Sequence, residues 1–168
     1  AGQIERWASR PEGPGMHHFE KTPSGPRVAR SEDFDPHHGG MSRFLRSGLV
    51  VDVLTQLFGE APALFKEKIN YKYPGGGGFA PHQDATAYRF VDHHISVMVP
   101  LDPSTIASGC LWFADDLVTE VLPNTAGRID PEWVDTHSWS PVEVYPGDVV
   151  FFDSYAPHRS ETNIGEQR

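Results

Sequence analysis

A glycine-rich stretch of this chain leads into an H-x-D pair, and it reads Gly75-Gly76-Gly77-Gly78-Phe79-Ala80-Pro81-His82-Gln83-Asp84. On an extended strand, side chains two residues apart point to the same face, so His82 and Asp84 can bind one ion while Gln83 points away. The preceding glycines let the backbone bend without side-chain clashes. The pattern predicts a strand that carries two metal ligands at the mouth of a β-barrel.

A third candidate ligand, His158, lies within the segment P-G-D-V-V-F-F-D-S-Y-A-P-H-R-S at positions 146–160. This segment predicts a turn, a buried strand and a loop that ends at His158. Two imidazoles and one carboxylate on one face are typical of non-haem Fe(II) sites and leave the opposite coordination positions open. For each residue alone, a turn or a surface role is the simpler interpretation, but the ordered set of three favours a metal site.

Most of the chain predicts short strands joined by turn-rich segments. The period of the apolar residues is near two in these regions, which indicates a β-sandwich or jelly roll with one covering helix. The helix is predicted over 41–59, ending on Gly59. Residues 1–40 are rich in Gly, Pro and His and predict loops and short edge elements. Residues 114–141 predict either a lid or substrate loop, or a disordered crossover. The strand candidates are 65–73, 95–101, 110–113, 142–145 and 149–152.

Length and charge limit the classes of function. The chain has 168 residues, 38% of them hydrophobic, which is enough for one substantial core. Its 14 basic residues against 23 acidic ones give a net charge of −9, which disfavours nucleic acid as a partner. Cys110 stands alone, so no intrachain disulfide can form, and no apolar run reaches membrane-spanning length. We expect a cytoplasmic protein with a small-molecule substrate and no membrane partner; the oligomeric state is not predicted.

The end of the chain carries groups suited to a dicarboxylate. Ser160 follows His158 by two residues and Arg168 follows it by ten. A guanidinium presents a planar fork of donors to a carboxylate, and a hydroxyl can add one more bond. Ser160 as a turn residue and Arg168 as a surface charge are the plainer alternatives.

Four motifs together resemble the phytanoyl-CoA dioxygenase family of Fe(II)/2-oxoglutarate-dependent oxygenases, and its bacterial members in particular. They are H-Q-D at 82–84, S-G-C-L at 108–111, P-G-D-V-V-F-F at 146–152 and H-R-S-E-T-N at 158–163, followed by Arg168. The similarity runs from about Met16 to the last residue.

The resemblance implies a double-stranded β-helix of the jelly-roll, cupin-like type, with one or two covering helices. It implies that His82, Asp84 and His158 bind iron, and that Arg168 and Ser160 hold the distal carboxylate of 2-oxoglutarate, with dioxygen as the co-substrate. One further polar residue is expected from the preceding strand, either Lys68, Asn70 or Lys72. Halogenating relatives lack the carboxylate ligand, so Asp84 favours oxygenation. Family members extend further at both ends, so residues 1–168 are expected to form a single oxygenase domain that lacks parts of both.

The implied activity is hydroxylation of an unactivated C–H bond in a small, anionic molecule. A phosphonate such as 2-aminoethylphosphonate suits the lysines at 66, 68 and 72, while an acyl-CoA and a natural product stay open. Gln83, Tyr88 and Trp112 are tentative substrate contacts, although the two aromatics also suit core or rim positions. The alternatives are a cupin-like metalloenzyme that does not use 2-oxoglutarate, and a non-catalytic jelly-roll binding module.

The other histidines are weaker metal candidates. Neighbours on an extended chain point to opposite faces, so the adjacent pairs cannot chelate as H-x-D does. His93 and His94 precede a predicted strand and are expected at the surface or in support of the site. Cys110 lies in an apolar strand and is expected to be a small buried hydrophobe.

Overall fold

The computed structural model describes residues 15–23, 25–88, 91 and 93–166. They fall into two compact units, with the boundary between Tyr71 and Lys72. Residues 1–14 and Arg168 lie outside the described residues. Strands predominate, as the sequence predicts, and the helices are short.

The first unit contains a three-stranded antiparallel sheet in the order β1-β2-β3. Its strands are β1 (Met16–Thr22), β2 (Gly25–Glu32) and β3 (Lys68–Asn70). The hydroxyl of Thr22 donates to the carbonyl of Gly25 at 2.6 Å and closes the β1–β2 turn. Loops and short edge elements were therefore the wrong prediction for 16–32. The pattern was missed because both strands are mostly polar, and only Val28 of β2 belongs to the apolar core.

Two helices, α1 (Gly39–Arg46) and α2 (Leu49–Phe58), replace the single helix predicted over 41–59. Ser47 is extended at φ −157° and ψ 166°, and Gly48 has φ +80°, so the helix cannot continue between them. Gly59 adopts the left-handed conformation at φ +74° and ends α2 as predicted. A Ser-Gly pair inside an apolar period is the sequence signal that marks this break.

The core of the first unit is small and lies beneath β2 and β3. Its buried apolar residues are Val28, Phe34, Ile69 and Tyr71. Lys66 forms a 3.0 Å ion pair with Glu32, so a carboxylate of the same unit neutralises its positive charge. The predicted strand over 65–73 is shorter in the structure, because only Lys68–Asn70 joins the ladder of β2.

The second unit holds two antiparallel sheets. One has the order β7-β8-β4-β11-β6-β9 and the other pairs β10 with β5. A short helix, α3 (Pro131–Thr136), precedes β9. The strands are β4 (Phe79–His82), β5 (Ile95–Met98), β6 (Leu111–Ala114), β7 (Asn124–Thr125), β8 (Arg128–Ile129), β9 (Trp139–Val142), β10 (Val150–Asp153) and β11 (His158–Ser160).

Four predicted strands correspond to β5, β6, β9 and β10, with shifted ends. The largest shift is at β9, which stops at Val142, whereas Val144 forms only an isolated bridge with Ser104. The turn predicted before β10 is present: Asp148 donates its backbone N–H to the carbonyl of Tyr145 at 2.9 Å, and Gly147 has φ +113°. Phe152 of β10 packs edge-on against Phe113 of β6, with ring centroids 5.0 Å apart, so the two sheets face each other here.

Residues 114–141 are ordered in the structure, which contradicts the disordered alternative. The segment forms the β7–β8 hairpin and α3 before it enters β9. β8 pairs with β4 at Arg128 and His82, so the hairpin lies along the edge of the strand that carries the H-x-D pair. Its role as a lid or substrate loop stays a prediction.

Candidate metal centre

The two histidines of the predicted triad are cross-strand neighbours. His82 ends β4, His158 begins β11, and the two residues lie opposite each other in the antiparallel ladder. Their ring centroids are 4.2 Å apart and the ring planes are inclined by 53°. Directly opposed residues share a face of the sheet, so both imidazoles project to the same side.

Asp84 also faces this side of the sheet, but its backbone is not part of a strand as predicted. Gln83 is extended, at φ −122° and ψ 134°, and Asp84 then begins a turn of 3₁₀ helix rather than continuing the strand. Because Gln83 keeps the two-residue alternation, the carboxylate still faces the imidazoles. One ligand atom from each of His82, Asp84 and His158 can be chosen so that all lie within 4.8 Å of one another.

The hydrogen bonds of the two imidazoles define their tautomers. Nδ1 of His82 lies 2.8 Å from the carbonyl oxygen of Ala80, and Nδ1 of His158 lies 3.0 Å from that of Ala156. A carbonyl oxygen only accepts, so each Nδ1 must carry the proton. In the neutral imidazole each Nε2 then presents a lone pair, which is the form that binds a metal, and the carbonyls hold both rings in place.

Ser96 supports the carboxylate and was not identified from the sequence. Its hydroxyl donates a short hydrogen bond to Oδ2 of Asp84. Oδ1 of Asp84 lies 3.9 Å from Nε2 of His82. One oxygen is thus held by Ser96 and the other lies near His82. A serine within the apolar run of β5 was the available signal, but only the fold brings it to Asp84.

The local shape of β4 follows from a bulge and a close approach. The register with β11 shifts between the His158–His82 pair and the Ser160–Phe79 pair, so β4 has one residue more than β11. Pro81, which has no N–H to donate, sits within this irregular stretch. At Gly78, a Cβ atom would lie 2.0 Å from the carbonyl oxygen of Ser160. The last glycine of the run is therefore required by the approach of β11.

Aromatic rings surround the buried imidazole of His158, which is 5% exposed. The rings of Phe152 and Phe113 lie 4.9 Å and 5.8 Å from its imidazole, centroid to centroid. The side chains of His82 and Asp84 are more open, with 29% and 17% exposed. The site is thus apolar on the His158 side and accessible on the side of the H-x-D pair.

A second polar cluster lies two residues further along β11. Ser160 Oγ accepts hydrogen bonds from Nζ of Lys72 at 2.9 Å and from the backbone N–H of Phe79 at 3.2 Å. These two bonds occupy both acceptor positions of the hydroxyl, which leaves its own O–H to donate. Ser160 and His158 share a face, and two residues of strand span about 7 Å. That is the length scale of a five-carbon dicarboxylate lying between them.

Lys72 is held in place by its surroundings. Nζ also donates to the carbonyl oxygen of Gly109 at 2.8 Å, and the buried amide of Asn163 donates to the carbonyl of Lys72 at 2.8 Å. Gly109 has φ +77°, and a Cβ there would lie 2.4 Å from the carbonyl oxygen of Glu161. Burial lowers the pKa of Lys72, while the charge interactions with Cys110 and Glu161 oppose the shift. The cluster accounts for the glycine of S-G-C-L and the asparagine of H-R-S-E-T-N.

Among the three residues left open for this cluster, Lys72 is the one that contacts Ser160. Lys68 and Asn70 lie exposed on β3 in the first unit. Arg168, the predicted partner of the distal carboxylate, lies outside the described residues, and its role stays a prediction.

The structure gives Gln83 a supporting position that does not suit a substrate contact. The residue is 1% exposed. Its Nε2 donates to the carbonyls of Glu120 and Tyr155 at 2.9 Å and 2.6 Å, and its Oε1 accepts from the N–H of Leu122 at 2.8 Å. The side chain therefore fastens the start of the 114–141 segment beneath the H-x-D pair.

Trp112 also lies in the wrong place for a substrate contact at the metal. It pairs with Arg159 in the ladder between β6 and β11, whereas His158 pairs with Phe113. Because successive residues alternate in direction, Trp112 and Arg159 lie on the face opposite the imidazoles. The guanidinium of Arg159 lies 5.6 Å from the ring of Trp112 and 5.0 Å from that of Trp139, centre to centroid.

The described ring contact of Tyr88 is with His94. Its ring meets the imidazole of His94 edge-on at 5.5 Å. His94 precedes Ser96 by two residues, and its ring nitrogens are buried with no hydrogen-bond partner among the described residues. A contact of Tyr88 with the substrate stays a prediction.

Residues 7–168 match the sequence profile of the phytanoyl-CoA dioxygenase (PhyH) family. The chain belongs to the phytanoyl-CoA dioxygenase family. The matched residues include the candidate metal ligands, the Lys72–Ser160 cluster and the segment between β6 and β9.

Two curated relatives of this chain have names that refer to phosphonate substrates. Methylphosphonate hydroxylase from Gimesia maris is 47% identical over 167 residues, which cover 98% of this chain and 64% of the relative. The 2-aminoethylphosphonate dioxygenase of an uncultured bacterium is 38% identical, over 98% of this chain and 65% of the relative. The chain thus spans slightly less than two thirds of the length of these relatives.

Solved structures with the same fold include EctD from S. alaskensis. Its complex with 2-oxoglutarate and 5-hydroxyectoine matches with a TM-score of 0.81 at 21% identity, over 99% of this chain and 61% of EctD. The form with bound Fe matches with a TM-score of 0.76 at 20% identity, over the same shares of the two chains. The predicted cupin-like jelly roll is confirmed by this likeness. None of the helices in the described part of the chain is long and apolar enough to cross a membrane.

Proposed function

We propose that this chain carries the catalytic core of an Fe(II)- and 2-oxoglutarate-dependent dioxygenase that hydroxylates an unactivated C–H bond of a small phosphonate. The observation that carries the proposal is the triad His82, Asp84 and His158, with one ligand atom from each within 4.8 Å of the others. Family membership and the names of the two curated relatives support it.

The donor set suits Fe(II). Two neutral imidazoles and one carboxylate on one side are the ligands of the non-haem iron oxygenases, and the remaining positions stay open for the co-substrate and dioxygen. The carbonyls of Ala80 and Ala156 keep both Nε2 lone pairs available, and Ser96 leaves one oxygen of Asp84 for the metal. Bound iron and 2-oxoglutarate together supply the activation of dioxygen that converts C–H to C–OH, with succinate and carbon dioxide as the other products.

The distal carboxylate of 2-oxoglutarate is assigned to Lys72 and Ser160, with Arg168 as the predicted third group. The ammonium of Lys72 and the O–H of Ser160 are both donors, and a charge-assisted hydrogen bond from lysine favours a carboxylate over a neutral group.

Phosphonate is the substrate class favoured by the relatives, ahead of an acyl-CoA or a natural product. Each of the two relatives is named for a small molecule that contains a C–P bond and an oxyanion group. We further infer a cytoplasmic location and a small-molecule partner. Cys110 is a buried free thiol, in keeping with a reducing compartment. Recovery of the native protein from an oxidising compartment would contradict the location.

The decisive experiment follows succinate formation by the purified protein with Fe(II), ascorbate and 2-oxoglutarate. Methylphosphonate and 2-aminoethylphosphonate are supplied in parallel, and hydroxylated product is measured alongside succinate. We expect phosphonate-dependent succinate, its loss in Asp84→Ala, and no loss in Asp52→Ala, which removes an exposed carboxylate from α2.

The alternatives give different outcomes in the same experiment. A cupin-like metalloenzyme that does not use 2-oxoglutarate would bind metal through the triad but release no succinate under any condition. A non-catalytic binding module would also release none, and Asp84→Ala would not change its metal content. Either result would overturn the proposed activity.

A further inference from the structure

Arg128 lies directly opposite a metal-ligand candidate in the sheet. It pairs with His82 in the antiparallel ladder between β8 and β4. Residues directly opposed in such a ladder share a face, and their Cβ atoms are about 4.5–5.5 Å apart. The guanidinium therefore starts from the same side of the sheet as the imidazole of His82.

The guanidinium of Arg128 has no carboxylate or carbonyl partner among the described residues, and the residue is exposed. Four other described arginines are paired with carboxylates: Arg27 with Glu20, Arg30 with Glu32, Arg46 with Asp35 and Arg159 with Glu161. A cation beside a candidate metal site with no such partner among the described residues is available to bind an anion.

The hairpin that carries Arg128 is fixed against the site. Oδ1 of Asn124 accepts from the N–H of Gly127 at 3.2 Å, and the N–H of Asp130 donates to the carbonyl of Pro123 at 3.0 Å, which closes the hairpin at both ends. A Cβ at Gly127 would lie 3.5 Å from Oγ1 of Thr86, in the turn that begins with Asp84. The strand is held next to the H-x-D segment by its own backbone.

Lys72 and Arg128, two cationic groups of the second unit, lie at opposite ends of β4. Ser160, with Lys72, is opposite Phe79 at the start of the strand, whereas Arg128 is opposite His82 at its end. A co-substrate carboxylate bound at the Lys72 end leaves the Arg128 end for a second anion. Both anions would then flank the metal ligands.

We propose that Arg128 binds the phosphonate oxygens of the substrate and thereby places the carbon attached to phosphorus at the metal centre. The proposal rests on the proposed function and names a residue that determines its substrate class. A guanidinium offers two parallel N–H donors to two oxygens of one anion, which defines orientation as well as charge. In a molecule such as methylphosphonate the C–H bonds are one bond from phosphorus, so an anchor beside His82 also positions them.

The test compares Arg128→Gln and Arg128→Lys with Arg43→Gln, which removes an exposed arginine from α1 in the first unit. We expect the KM for methylphosphonate to rise about tenfold to a hundredfold in Arg128→Gln, the scale for losing a hydrogen bond to a charged group. Arg128→Lys should raise this KM less than Arg128→Gln does, because lysine keeps the positive charge but lacks the two parallel N–H donors of the guanidinium. The affinity for 2-oxoglutarate and the metal content should stay as in the wild type, and Arg43→Gln should change none of these.

A second readout does not depend on turnover. Phosphorus NMR follows the line broadening of methylphosphonate on titration into the metal-free protein, and we expect Arg128→Gln to reduce the broadening while Arg43→Gln does not. Equal phosphonate KM and equal broadening in Arg128→Gln and wild type would overturn the inference and leave the proposed function intact. A rise in the 2-oxoglutarate dissociation constant alone would reassign Arg128 to the co-substrate. Phosphonate binding through Arg128 without any succinate would instead refute the proposed function.

Discussion

Ser96 donates a hydrogen bond to Oδ2 of Asp84, while Oδ1 of the same carboxylate lies 3.9 Å from Nε2 of His82. The two oxygens of one carboxylate thus have different surroundings before any ion is bound. A held carboxylate loses less freedom on binding a metal than a free one. The serine therefore prepares Asp84 to bind through one oxygen.

Replacement of Ser96 by alanine tests this support. We expect Ser96→Ala to weaken Fe(II) affinity by about tenfold to a hundredfold, as is usual when a partner of a metal ligand is removed. Ser96→Thr keeps the hydroxyl on a strand residue and should retain most of the affinity. The measurement is metal titration under anaerobic conditions, and unchanged affinity in Ser96→Ala would show that the bond does not position the carboxylate.

Replacement of Trp112 should lower the stability of the protein and leave substrate binding unchanged. It lies on the face opposite His158, where Arg159 packs between the rings of Trp112 and Trp139. Such cation–π contacts contribute about 0.5–2 kcal/mol each, so Trp112→Phe should lower the free energy of unfolding by an amount on this scale. Trp139→Phe should lower it further, because this change also removes the hydrogen bond from Nε1 of Trp139 to the carbonyl of Val134 at 3.2 Å. A raised KM with unchanged stability in Trp112→Phe would contradict the assignment of this face.

The hydrogen bonds of the Gln83 side chain should hold the start of the 114–141 segment in place. Gln83→Leu removes three hydrogen bonds and leaves the backbone groups of Glu120, Leu122 and Tyr155 without their partner. Each buried unpaired polar group costs about 1–3 kcal/mol, so we expect a clearly lowered Tm and faster proteolysis within 114–123. Gln56→Leu, at an exposed position of α2, provides the control. Equal Tm and equal cleavage in the two variants would exclude the fastening role.

The grouping of the three candidate metal ligands, which the structure brings together, could be predicted from the sequence because its signals are local. H-x-D depends only on the two-residue alternation of extended backbone, and His158 follows a turn and an apolar strand within one short segment. Lys72 could not be separated from Lys68 and Asn70, since the choice depends on where the chain leaves β3. That point is set by the pairing of β3 with β2, which no local pattern reveals.

Elements formed by polar residues were the ones missed. The β1–β2 hairpin buries little apolar area, so the usual period-two signal is weak. The β7–β8 hairpin turns through Ala126 and Gly127, which both have positive φ, at +51° and +81°. Such turns usually carry Asn-Gly or Asp-Gly, so Ala-Gly concealed the hairpin and, with it, the placement of Arg128.

The pKa of Lys72 predicts how 2-oxoglutarate affinity depends on pH. Burial lowers this pKa below the ordinary lysine value of 10.5, and the charge interactions with Cys110 and Glu161 only partly offset the shift. As the pH rises from neutrality, Lys72 loses its proton before an exposed lysine would. We therefore expect the wild type to bind 2-oxoglutarate more tightly than Lys72→Met at neutral pH, by about tenfold or more, and this advantage to shrink before the pH reaches 10.5.

The same shift has a consequence for folding with a defined sign. A lowered folded-state pKa means that the unfolded chain binds more protons between the two pKa values, so the free energy of unfolding rises with pH in that window. Unfolding of the ligand-free wild type and of Lys72→Met, compared across this range, should show that rise only in the wild type. Anaerobic titration of 2-oxoglutarate into the Fe(II)-loaded proteins measures the affinities. If the advantage of the wild type persisted undiminished up to the ordinary lysine pKa, the ammonium of Lys72 would not be the group that binds the carboxylate.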